Sequence, residues 1–153
     1  DRATQMEVWH QAGDAHADVV RDSYAELLGQ GVKVSPFIED MAEAYAWADL
    51  VLCRAGALTV AELAIMGRPA VLVPLPQAID DHQSANARSL ADRGAAVLLR
   101  QDAMTEQSLA GALGSYMAEP QRLVTMAAAA LAAATPDAAQ RVSDCCEELI
   151  HVE

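Results

Sequence analysis

In the run CRAGALTVAELAIMGRPAVLVPLP, residues 53–76, one carboxylate stands alone. Between Ala55 and Gly67 the only charged residue is Glu62. The segment reads as a strand ending at Cys53, a turn at Gly56 and a largely apolar helix from Ala57. Glu62 is therefore expected on a buried helix, where a carboxylate needs partners. Small residues at the turn let a ligand approach the backbone, and the first amides of a helix point outward without an intrahelical acceptor. A phosphate there gains charge-assisted hydrogen bonds of ~1.5–3 kcal/mol each. The helix dipole adds ~0.3–1 kcal/mol. Arg54 stands where its guanidinium complements the same anion. Roughly one and a half turns further along, Glu62 suits a carboxylate accepting hydrogen bonds from two ribose hydroxyls. The plainer readings are an ordinary strand–helix turn and a structural ion pair of Glu62 with Arg54 or Arg68.

Further candidates follow other strands. In DDHQSANA, residues 80–87, Asp80, Asp81, His82, Gln83 and Asn86 offer groups suited to sugar hydroxyls. Gln83 and Asn86 are spaced to share one helix face; a capping Asp before a solvated helix explains the segment as well. At residues 37–41, Ile38 can lay its side chain on a flat base while its backbone reads the base edge. Helix capping by Asp40 accounts for that loop nearly as well. His10 and Gln11 in WHQAG invite a catalytic reading, but a lone His is more often structural. No Ser or Cys nucleophile with a paired base emerges, and no carboxylate pair is arranged for hydrolysis.

The elements that must position these residues alternate. Strands are expected at 7–10, 33–35, 50–53, 70–74 and 96–99, with helices at 15–29, 40–48, 57–66 and 81–93. That alternation predicts an α/β fold, a parallel sheet with helices on both faces. LVLC and AVLV are continuously apolar, as strands covered on both faces should be. Gly29, Gly31, Gly67 and Gly94 fall where helices should stop. Helices at 104–117, 120–134 and 137–152 follow, with Pro120 and Pro136 opening the last two.

Bulk properties narrow the function. The 153 residues are one domain's worth. Net charge is −12, and the ten basic residues are scattered. Nucleic-acid binding needs clustered cations, as does docking on an anionic membrane surface, so neither partner is expected. The three cysteines and four histidines show no metal-ligand spacing, so no metal is expected; a reducing compartment fits. The longest apolar run, residues 123–134, is broken by Thr125 and too short to span a bilayer.

Taken in order, SPFIEDMAEAYAWADLVLCRAGALTVAELAIMGRPAVLVPLP and DDHQSANA resemble the donor half of the MurG-type transferases of peptidoglycan synthesis. The resemblance runs from WHQAG to the final helix, and the order and spacing of its motifs are specific. It implies a Rossmann-like C-terminal domain of a GT-B glycosyltransferase. That enzyme moves GlcNAc from UDP-GlcNAc to an undecaprenyl-pyrophosphoryl-MurNAc-pentapeptide at the cytoplasmic side of the bacterial inner membrane, held peripherally. Matched by position, Ile38 would meet uracil through its backbone. Gly56, Ala57, Leu58, Thr59, Val60 and Ala61 would form the helix start facing the diphosphate and sugar. Glu62 would hold the ribose, Gln83 with His82 the GlcNAc hydroxyls, and Arg54 would lie near the phosphates. Asn86 matches a motif position without an assigned contact. No cofactor is implied, UDP-GlcNAc being the donor substrate.

The resemblance also implies parts outside residues 1–153. The acceptor-binding N-terminal domain is expected to be absent, as is the donor domain's first strand with its phosphate loop. In strand order 3-2-1-4-5-6 that strand is central, so its loss would expose edges prone to association. The chain is accordingly expected to belong to a longer reading frame, and alone to bind donor poorly without turnover. The general base would lie on the absent domain, and membrane contact would not run through this segment. Two alternatives share the nucleotide site: a UDP-GlcNAc 2-epimerase, and a non-catalytic donor-binding subunit docked through a final-helix stripe of Val142, Cys146, Leu149 and Ile150.

Overall fold

Short apolar runs alternating with helical stretches produce two parallel sheets, of two and three strands. The computed structural model describes residues 6–76 and 81–150. The chain divides into two compact units, residues 1–47 and 48–153.

In the first unit, β1 (Val8–Gln11) runs parallel to β2 (Val32–Ser35), with Val8 opposite Val32 and Gln11 opposite Ser35. Between them lies α1 (Ala17–Tyr24), followed by a single 3-10 turn, Ala25–Leu27; α2 (Met41–Trp47) closes the unit. The helix expected over 15–29 is therefore shorter. It breaks at Ala25, whose φ of 42° and ψ of −113° leave the helical region without a glycine to signal it. Ala17, Ile38, Ala44 and Tyr45 are buried. Trp9 joins the two strands, donating Nε1–H to Ser35 Oγ at 3.0 Å. Its ring meets Trp47 edge-on at 6.0 Å between centroids and carries Lys33 Nζ at 3.6 Å.

The second unit holds β3 (Val51–Cys53), β4 (Ala70–Leu72) and β5 (Ala96–Leu98), all parallel with β4 central. Successive side chains on a strand point to opposite faces. Ala70, Val71 and Leu72 are all buried, so β4 is covered on both faces. The run AVLV meets its expectation; LVLC does not, because β3 is an edge strand. Its Leu52 is 46% exposed beside Val71 at 1%. Val71 packs with Tyr116 and Met126, flanked by Leu50, Leu99 and Leu123.

The helices of this unit are α3 (Ala57–Ile65), α4 (His82–Ala91), α5 (Glu106–Ala118), α6 (Gln121–Ala133) and α7 (Ala138–Ile150). The turn after α3 depends on glycine. Gly67 has φ 60°, and a Cβ there would stand 2.6 Å from Leu131 Cγ on α6. A short 3-10 turn at Gln101–Ala103, absent from the sequence-based expectation, leads into α5. Thr105 and Ser108 cap α5 reciprocally, each side chain accepting the other's backbone N–H. No residue of α7 is buried.

Candidate functional site

At the carboxyl end of β3 the chain turns through Arg54 and Ala55 to Gly56, which caps α3 with φ −64° and ψ 147°. The Gly56 carbonyl accepts the Val60 N–H at 2.9 Å, so the amides of Ala57, Leu58 and Thr59 precede the first intrahelical bond. Among the described residues no side chain caps this end. Any residue can adopt the Gly56 conformation, and an added Cβ would meet nothing nearer than Thr59 Oγ1 at 3.6 Å. Neither backbone strain nor packing within the protein calls for glycine here. What it provides is a helix start with no side chain of its own beside three helix-end amides.

Arg54 is fixed by neutral acceptors. Its Nη1 donates to the carbonyls of Val73 and Pro74 at 3.2 and 3.3 Å, and its Nη2 to Gln101 Oε1 at 2.8 Å. The side chain thus binds together the ends of β3 and β4 and the turn after β5, with its charge uncompensated by these bonds.

The start of α4 braces the same edge. Asn86 Nδ2 donates to the buried Ala55 carbonyl at 3.0 Å, giving a contact to the motif position that had none. Gln83 Oε1 accepts the Leu75 N–H at 3.0 Å, which commits its carbonyl to the loop. His82 is exposed as the first residue of α4. Asp81 precedes it with a positive φ of 53°. Asp80 lies outside the described residues.

Two expectations need correction. Glu62 is exposed, so its helix does not bury a carboxylate. Helical spacing explains it: Val60, Leu63 and Ala64 form the buried stripe, leaving Leu58, Ala61, Glu62 and Ile65 outside. The apolar residues on that outer side disguise it, Leu58 being 80% exposed. The second correction concerns Ile38, whose side chain is 7% exposed and belongs to the first unit's core rather than to a surface for a flat base. Its backbone N–H donates to Gln11 Oε1 at 3.0 Å, and neighbouring Phe37 is 63% exposed instead. In the same unit Asp40 Oδ1 accepts the Glu43 N–H at 2.8 Å, capping α2 as expected. His10 Nδ1 lies 3.1 Å from Tyr24 Oη.

The second unit therefore brings Arg54, Gly56 to Thr59, Gln83 and Asn86 to one sheet edge, joined by direct bonds through Ala55, Val73, Pro74 and Leu75. Val60 is buried behind them. Gln101 belongs to this cluster and carried no sequence signal, standing in a polar stretch 47 positions from the arginine it holds. Burial pushes the Cys53 thiol up from 9.0 to about 11, which keeps it protonated and unsuited to nucleophilic attack at neutral pH.

Residues 1–142 match the glycosyltransferase family 28 C-terminal domain. A UDP-N-acetylglucosamine–N-acetylmuramyl-(pentapeptide) pyrophosphoryl-undecaprenol N-acetylglucosamine transferase of Stutzerimonas stutzeri is 54% identical over 95% of this chain and 40% of its own length. The transferase of the same description from Halorhodospira halophila is 51% identical over 96% of this chain and 41% of its own. The crystal structure of Acinetobacter baumannii MurG superposes with a TM-score of 0.84 at 45% identity, covering 96% of this chain and 46% of that one. The chain thus spans less than half the length of these relatives.

Proposed function

The chain belongs to the glycosyltransferase family 28 C-terminal domain, and on that premise we propose that it is the donor-binding part of an inverting, UDP-GlcNAc-dependent hexosyltransferase. The acceptor is the undecaprenyl-linked MurNAc-pentapeptide, engaged by a part of the enzyme outside residues 1–153. One observation carries this reading: the start of α3 is uncapped and opened by a glycine that its own geometry does not require, beside an arginine held by neutral groups.

The donor diphosphate sits on the amides of Ala57, Leu58 and Thr59, with the Arg54 cation beside it. An acceptor hydroxyl attacks the anomeric carbon as UDP departs. Negative charge then grows on the diphosphate, and fixed amides and a fixed cation stabilise that state more than the ground state. Glu62, on the outer side of α3, accepts from the ribose hydroxyls. The Gln83 amide NH2 and His82 take the GlcNAc hydroxyls, while Asn86 keeps the Ala55 turn in register. Within the first unit, the Ile38 carbonyl is the backbone group left for a base edge, since its N–H is engaged by Gln11.

The enzyme works peripherally at the cytoplasmic side of the bacterial inner membrane. Among the described residues no helix is long and apolar enough to cross a membrane, and the net charge of −12 opposes anionic headgroups. The test replaces the matching region of the Stutzerimonas stutzeri transferase with this chain. Transfer to the lipid-linked acceptor is expected from the graft, and none from residues 1–153 alone. A folded graft that fails to bind UDP-GlcNAc overturns the reading. Epimer formed from UDP-GlcNAc without acceptor replaces it with epimerase chemistry.

A further inference from the structure

We propose that Gln101 is a positioning residue: its side-chain carbonyl, 2.8 Å from Arg54 Nη2, holds the guanidinium at the donor edge without cancelling its charge. An arginine offers five N–H donors. Those engaged on Val73, Pro74 and Gln101 meet uncharged oxygens, so the remaining donors and the whole positive charge stay available to an anion. A carboxylate in the place of Gln101 would make a comparable bond and form an ion pair, drawing the cation's field away from the ligand.

Gln101 is well anchored for this task. Leu99 N–H bonds to the Leu72 carbonyl at 2.9 Å, extending the sheet's pattern to within two residues of it. On its other side, Ser108 Oγ donates to the Ala103 carbonyl at 3.1 Å, fastening the 3-10 turn to the start of α5. The adjacent acid of that turn, Asp102, pairs with Arg100 at 3.3 Å, so the turn's own carboxylate is directed to a different arginine. The result is a neutral acceptor for Arg54 from a segment that also carries an acid.

The inference rests on the donor-site reading above, and its test separates the two. Affinities for UDP and for uridine are measured by calorimetric titration on the grafted transferase carrying this chain and on its Gln101→Glu and Gln101→Ala variants. Their ratio isolates the phosphate contribution, which a merely structural role would not change. In Gln101→Glu the ratio is expected to fall about tenfold, the scale of one charge-assisted hydrogen bond, with uridine affinity unchanged. Gln101→Ala, which loosens the guanidinium without adding charge, should lower it less. An unchanged ratio in Gln101→Glu overturns the inference. If the unsubstituted graft fails to prefer UDP over uridine, the donor-site reading fails. Urea unfolding of Arg54→Ala, Gln101→Ala and the double variant then decides the positioning claim, and strictly additive effects overturn it.

Discussion

At the end of β1 and β2, polar side chains close onto the first unit itself. Gln11 takes the Ile38 amide, Trp9 takes Ser35, and Asp40 takes the Glu43 amide. At the end of β3 and β4 the side chains divide their groups. Gln83 accepts the Leu75 N–H through its carbonyl, and Arg54 spends part of its fork on three neutral oxygens and keeps its charge. Gly56 leaves the helix-end amides open between them. The two glutamines are used alike, each accepting one backbone N–H, so the difference lies in Arg54 and Gly56: a cation held by neutral oxygens beside a helix start that opens with glycine. The guanidinium can do this because it has five N–H donors to distribute and carries its charge whichever neutral acceptors they meet.

The contrast in burial gives the largest expected effect. Leu72→Ala on the fully covered β4 should cost about 2–5 kcal/mol in urea unfolding, whereas Val34→Ala on the partly exposed β2 should cost clearly less. Equal losses would show the two sheets to be packed alike. Next comes Gly67→Ala, where a positive φ and the contact with Leu131 predict a loss of about 1–3 kcal/mol. In the first unit, Gln11→Ala exposes the Ile38 amide to loss of its acceptor and should cost about 1 kcal/mol without altering the phosphate contribution to nucleotide binding. Ala25→Gly relieves the positive φ of that residue and should raise stability by about 1 kcal/mol. Gly56→Ala sharpens the comparison most: stability should change by no more than about 0.5 kcal/mol, while UDP affinity in the grafted enzyme falls severalfold. A stability loss without a binding loss would make Gly56 structural.

A smaller effect is tied to pH. The folded Cys53 thiol titrates at about 11 against 9.0 without burial, so its contribution to stability is intact below pH 9 and declines as pH rises through 11. Cys53→Ala should flatten that decline. At pH 8, iodoacetamide should modify exposed Cys145 and Cys146 well before Cys53, as read by mass spectrometry.

Most element types could be read from periodicity, because AVLV and the helices around it bury their apolar residues in regular patterns. The boundaries that escaped have local causes. Ala25 ends α1 with a positive φ that an alanine does not advertise, and Gln101 begins a turn only one bond ladder away from the sheet. The α3 site was legible as strand, glycine and helix, yet its exposed side was not. Leu58 and Ile65 flank Glu62 there, and composition cannot distinguish an apolar side facing solvent from one facing a core. The side-chain reading of Ile38 failed for the converse reason, a core residue sitting in a loop. The bonds of Arg54 and Asn86 join positions far apart in sequence, and spacing carries no record of them.

The absence of any buried residue in α7 has a dynamic consequence. A helix of 13 residues that hides no side chain relies chiefly on its own ladder, and such helices are marginal in water when they stand alone. Its amide hydrogens should trade with deuterated solvent through local fraying, orders of magnitude sooner than those of β4, which wait for the whole second unit to open.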